Sequence, residues 1–162
     1  MSFASLAQIL KQPQFNSTCV SFDFRGHGDH YSENDSDMSQ KTLIDETIYV
    51  LKHVVQKYPL QSIIIVGHSM GGSIATKTIQ HIQHNSEEWV DHVKGLFIID
   101  VVEGSAMDAL PFMESIVKGR PSQFKSLQEV VKYGIKSGTV RDIKSAKVSM
   151  PAQVVERVNE NG

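Results

Sequence analysis

One run of ten residues constrains this chain more than any other: Ile63-Ile64-Ile65-Val66-Gly67-His68-Ser69-Met70-Gly71-Gly72. Four consecutive β-branched apolar residues read as a short buried strand. Gly67-His68-Ser69-Met70-Gly71 follows at once, and then a helical pattern through Ile74, Thr78 and Ile82. This is a G-x-S-x-G elbow in its meaningful context of strand, tight turn and helix. The glycines let strand and helix approach closely around a strained serine, and the turn lifts the Ser69 hydroxyl above the sheet edge. The helix that begins near Met70 aims its unbonded N–H groups and positive dipole end at the same spot. Ser69 is therefore the candidate nucleophile and the Met70 N–H a candidate oxyanion donor. The alternative is a glycine-rich βα turn with an incidental serine.

At 162 residues the chain has the size of one domain, and 40% apolar residues suffice for a core. A net charge of -2 indicates no broad basic face for nucleic acid or anionic lipid. No apolar run approaches the length of a membrane span, and Met1-Ser2-Phe3-Ala4 lacks the look of a secretory leader. The single cysteine, Cys19, cannot form an internal disulfide, which fits a reducing compartment. Cytoplasm, or nucleus, is the expected location. No zinc-ligand spacing is present.

Along the chain, Phe3, Leu6, Ala7 and Leu10 have helical spacing. Cys19 to Phe24 reads as a strand that runs into the glycine-rich turn Arg25-Gly26-His27-Gly28. An acidic loop follows, and Asp37 or Ser39 is placed to cap a helix whose apolar face is Ile44, Ile48, Leu51, Val55 and Tyr58, closed by Pro59. Gly95 to Val101 reads as a third strand, apolar enough for burial on both faces. Helices and strands thus alternate as far as Val101, the pattern of a parallel sheet with helical crossovers. Beyond it, 106–118, 124–135 and 145–158 read as helices broken by glycine and proline. The expected division is a core at 1–102 and a helical cap at 103–162, laid over the carboxyl ends of the strands.

Asp23-Phe24-Arg25-Gly26-His27-Gly28 followed by Gly67-His68-Ser69-Met70-Gly71-Gly72 resembles the α/β-hydrolases. A narrower resemblance lies in Ile99-Asp100-Val101-Val102-Glu103-Gly104-Ser105-Ala106-Met107-Asp108-Ala109-Leu110, in Gly119-Arg120-Pro121, in Phe124-Lys125-Ser126-Leu127 and in Ser145-Ala146-Lys147-Val148-Ser149-Met150. These segments are similar to the protein phosphatase methylesterase family. The resemblance implies a partial α/β-hydrolase fold, a parallel sheet with flanking helices and a helical cap segment. It implies a serine carboxylesterase that demethylates the carboxy-terminal leucine of the type 2A protein phosphatase catalytic subunit, without metal or organic cofactor. Ser69 matches the family's nucleophile and Asp100 its triad acid; otherwise Asp100 simply ends a strand and caps a turn.

The triad also needs a base, which in this fold follows the acid in the chain. The seven histidines, His27, His30, His53, His68, His81, His84 and His92, all precede Asp100. His27 lies in a loop at the strand ends but has the wrong chain order, and His68 is adjacent to the serine, so its ring cannot easily face the hydroxyl. The expectation is a middle piece of a methylesterase, without its early strands, its His-Gly-Gly oxyanion loop and its late histidine, and with little activity alone. It is also expected to be marginal in stability, with two unpaired sheet edges.

Arg25 and Glu103 are the weaker candidates for substrate binding. Arg25 alternatively pairs with a loop acid such as Asp29, and Glu103, like Asp108, alternatively caps a helix. Arg120, Lys125 and Lys132 either receive an acidic phosphatase tail or form a solvated face. Trp89 either anchors an interface or packs locally. The competing functions are a non-catalytic phosphatase-binding module and a general hydrolase of small esters.

Overall fold

The computed structural model describes residues 3–58, 62–85, 87–100 and 105–156, with no side-chain description for 105–110. Helices α1 (Ala4–Leu10) and α2 (Gln40–Lys57) precede strand β1 (Ile63–His68). Helix α3 (Met70–His84) follows directly, then strand β2 (Val93–Ile99) and helices α4 (Ser105–Lys118), α5 (Leu127–Lys136) and α6 (Ile143–Ser149). β1 and β2 form a parallel pair, in register from Ile64↔Gly95 to His68↔Ile99. The residues group into two compact units, 22–114 and 1–21 with 115–162. That grouping does not follow the 1–102/103–162 line, because α1 packs with α6.

In the 22–114 unit, α2 and α3 pack on each other and α3 covers the strands. Its core is Leu43 and Leu51 from α2 with Ile74, Ala75 and Ile82 from α3. Ser39 is the cap of α2, its hydroxyl accepting from Thr42 N–H at 3.4 Å. Asp37 ties down the same turn, accepting from the Thr42 hydroxyl at 2.7 Å and from Ser39 N–H at 3.1 Å. These bonds hold the Asp37 carboxyl below the ordinary carboxylate range. The buried line of α2 is Leu43, Thr47 and Leu51; Leu51 belongs to the expected face, whereas Ile44, Ile48, Val55 and Tyr58 are only half-buried. Thr47 tolerates burial because its hydroxyl donates to the Leu43 carbonyl at 2.7 Å. Pro59 lies outside the described residues.

Three strand expectations are corrected. β1 is not a buried strand: Ile64 is 58% exposed and the other side chains are half-buried. Residues 19–24 form no strand. The segment has strand composition, but among the described residues no neighbour offers it a ladder, and a strand exists only as part of a pair. Phe22 and Phe24 instead meet edge to face, ring centres 5.1 Å apart. β2, in turn, is not buried on both faces: Phe97 is 63% exposed, and Ile98 and Ile99 are open as well. Phe97 and Ile99 point to one face and Ile98 to the other, so the end of β2 is open on both sides, and α3 packs less on β2 than on β1. Val101, the expected last residue of that strand, lies outside the described residues.

In the other unit, Val130 of α5, Ala146 of α6 and Met150 form a small core, with Phe124, Val131, Tyr133, Val140 and Val154 around it. Gly134 packs closely there: a Cβ would lie 2.7 Å from the Met150 side chain, which would have to move aside. Ser126 caps α5 and Asp142 caps α6, accepting from Glu129 N–H and Ser145 N–H. The helix expected over 145–158 is shorter. It ends at Ser149, Pro151 opens a single 3-10 turn, and 157–158 lie outside the described residues.

Candidate active site

The site is built on the carboxyl ends of β1 and β2. The last register pair is His68↔Ile99, so Ser69 and Asp100 are the first residues beyond two adjacent parallel strands. Ser69 N–H donates to the Ile99 carbonyl at 2.9 Å, which closes the ladder immediately behind the hydroxyl. Both residues have positive φ, 50° at Ser69 and 53° at Asp100; Asn16 is the other such non-glycine residue described. Side chains with a Cβ seldom adopt this backbone, which costs on the order of 1–3 kcal/mol and persists only where its surroundings impose it.

For Ser69 those surroundings are specific. Its ψ is −122°, and its carbonyl accepts from Gly72 N–H and Ser73 N–H at 2.9 and 3.2 Å, starting α3. Gly67 lies against the Gly71 carbonyl, and a Cβ there would come within 2.6 Å of Gly72 Cα. Strand and helix therefore meet backbone to backbone, which fixes the spacing of glycines on either side of the serine. No side chain caps α3. The Met70 N–H belongs to its first turn and has no intrahelical acceptor, so it is available to an anion above Ser69.

The Asp100 carboxylate is 74% exposed, and His68 Nε2 lies 3.8 Å from its Oδ2. The sequence reading kept His68 away from the serine hydroxyl but did not anticipate this neighbour. The signal was strand register: His68 and Ile99 are paired, so the residue after Ile99 falls beside the His68 ring. Glu103 lies outside the described residues, and Asp108 is described only as part of α4.

Arg25 does pair with a loop acid, Asp37 rather than Asp29, and more closely with Glu46 of α2. Its Nε donates to Glu46 Oε1 at 2.7 Å, its Nη1 donates to the Asn34 carbonyl at 3.1 Å, and Asp37 lies 3.9 Å away. Both side chains of the Arg25–Glu46 pair are largely buried. Glu46 comes from α2, a partner too distant in sequence to read from the local pattern. His27 turns Nδ1 to the Arg25 carbonyl and His30 turns Nδ1 to the Asp23 carbonyl. Trp89 packs locally, donating to Glu87 at 3.1 Å. It lines an open cleft of about 200 Å³ with Lys52, Val55, Gln56 and Glu88, apart from the Ser69 turn.

A family model described as serine aminopeptidase S33, one of the α/β-hydrolases, matches residues 1–153. The chain belongs to this family. Within the α/β-hydrolases it is similar to protein phosphatase methylesterase 1 of Bos taurus, 42% identical over 83% of this chain and 34% of that protein. The Homo sapiens protein of that name is 41% identical over 83% of the chain and 33% of its own length. The Schizosaccharomyces pombe protein is 35% identical over 97% and 45%. The chain thus spans a third to less than half of the relatives it matches. Among the described residues of this α/β-hydrolase chain, no helix is long and apolar enough to cross a membrane.

Proposed function

We propose that this chain carries the nucleophile Ser69, the acid Asp100 and the Met70 N–H oxyanion donor of a serine carboxylesterase. Its substrate is the methyl ester on the carboxy-terminal leucine of a type 2A protein phosphatase catalytic subunit, and its place is the cytoplasm or nucleus. The observation that supports the site is the flush ending of β1 and β2, which puts Ser69 and Asp100, both at positive φ, one residue beyond two adjacent strands. The likeness to protein phosphatase methylesterases supports the substrate.

In the reaction, Ser69 Oγ adds to the ester carbonyl while a base takes its proton, and the oxyanion forms beside the Met70 N–H. Collapse expels methanol, and water then releases the acid and restores the serine. Asp100 orients the base and stabilises its charged form. No histidine follows Asp100 in the chain. Without a base, turnover by the chain alone is expected about 10⁴ to 10⁶ below that of a complete triad. That sequence fact also favours the second reading, a phosphatase-binding piece without catalysis.

A fluorophosphonate probe separates the two. Ser69 should take the label, faster with added imidazole, and Ser69→Ala should take none. No label with or without imidazole would leave the binding reading. Where label is found, equal turnover of a leucine methyl ester peptide and a simple acetate ester would replace the narrow substrate with small esters in general.

A further inference from the structure

The net charge of -2 is the sum of two opposed halves. The 1–21/115–162 unit carries ten Lys and Arg against four Asp and Glu; the 22–114 unit carries six against fourteen. One unit is therefore six charges positive and the other eight negative, a polarity that averaging over the chain conceals.

The two units also use their charges differently. In 22–114, Arg25 pairs with Glu46, Lys41 with Asp45 and Lys52 with Glu87. In the basic unit, no ion pair is recorded among the described residues for Lys132, Lys136, Lys144 or Lys147. The nearby acids serve the backbone instead. Glu129 accepts from Lys125 N–H at 2.9 Å, and Asp142 accepts from Ser145 N–H at 2.7 Å. The second bond holds Asp142 below the ordinary carboxylate range. Lys144, in the first turn of α6, adds its backbone N–H and its charge to the Asp142 carboxylate without a close ion pair, and Lys147 lies a turn further on.

The lysines are interleaved with exposed aliphatic side chains. On α6, Ile143 and Lys147 are four residues apart, as are Lys144 and Val148, so all four share one face. Ile143 is 58% exposed and Val148 41%. The opposite side of α6 is spent on the core through Ala146. Lys132 and Ile135 repeat the mixture on α5.

We propose that the outer face of α6, extended by the lysines of α5, is a docking surface for an acidic peptide segment of a partner protein, one that alternates carboxylates with aliphatic side chains. Charge complementarity selects the acids, and Ile143 and Val148 select aliphatic residues between them. A nucleic acid is a poorer fit, because this face offers no exposed aromatic side chain for bases to stack on. A lipid surface is a poorer fit as well, because α6 spans only seven residues and lacks an interfacial aromatic. This proposal does not depend on the esterase reading.

The test is fluorescence anisotropy with the full 162-residue chain and a labelled peptide alternating Glu with Leu. Matched probes are a Gln/Leu peptide, a Glu/Ser peptide, a single-stranded oligonucleotide and phosphatidylserine vesicles. The Glu/Leu peptide should bind best, and more weakly as salt rises. The double variant K144E/K147E should weaken it about tenfold or more. I143S/V148S should reduce the preference for Glu/Leu over Glu/Ser, and K77E, on the acidic unit, should have no effect. Circular dichroism checks that each variant keeps its helices. Indifference to K144E/K147E, equal loss in K77E, no preference for Leu over Ser, or tighter binding of the oligonucleotide or vesicles would each overturn the proposal.

Discussion

β1 and β2 lie side by side, are both rich in β-branched residues, and end at the same level. Their surroundings differ. β1 feeds directly into α3, which folds back over it, and Gly67 is in backbone contact with the first turn of that helix. β2 receives less of α3, and Phe97, Ile98 and Ile99 reach solvent. The two glycines record the contrast. A Cβ on Gly67 would strike backbone, whereas one on Gly95 would make ordinary contact with Ile64 at 3.6 Å. Side-chain composition made both segments strands; the covering helix half-buries β1 apart from Ile64, which is 58% exposed, and leaves the last three residues of β2 open.

Four measurements press on that contrast. The largest effect should come from the helix that packs on β1: Ile82 is fully buried, and Ile82→Ala should cost about 2–5 kcal/mol in urea unfolding. Phe97→Ser on the open strand should stay within about 0.5 kcal/mol, and comparable losses would mean that β2 is covered in solution. Next, Gly67→Ala should cost about 1–3 kcal/mol and slow labelling of Ser69, while Gly95→Ala should be neutral or slightly stabilising.

A smaller effect, of opposite sign, is expected at the turn. Ser69→Gly removes the Cβ that makes positive φ costly and should stabilise the chain by about 1 kcal/mol relative to Ser69→Ala. The smallest effect concerns acid. The Asp37 carboxyl titrates lower when folded than when unfolded, so it contributes stability above its ordinary value of 3.8 and loses it as pH falls through the folded value. Amide exchange in the first turn of α2 should therefore quicken below that range before exchange in β2 changes.

The elbow was legible because everything it needs is local: an isoleucine run, glycines two residues either side of a serine, and a helix repeat. α3 matched its reading through Ile74, Thr78 and Ile82 for the same reason. What escaped depended on partners remote in sequence. Cys19–Phe24 had the composition of a strand, but pairing is decided by a neighbour that composition does not reveal. Glu46 as the partner of Arg25, and Asp100 beside His68, required the placement of α2 and the strand register respectively. The deepest line of α2 kept Leu51 but turned to Leu43 and Thr47, because its apolar stripe is broad and Thr47 satisfies its own hydroxyl. The opposed charges of the two units were present in the sequence all along, but became visible only when the fold showed which residues to count together.

The level ending of the two strands has an outcome for protein engineering. The interval between the Ser69 and Asp100 backbones is measured out by the sheet's own hydrogen bonds. Longer or shorter side chains at either position therefore cannot reset it. Deleting one residue within β2 would instead turn the later residues of the strand to the opposite surface, Asp100 with them, and displace the Ile99 carbonyl that receives the Ser69 N–H.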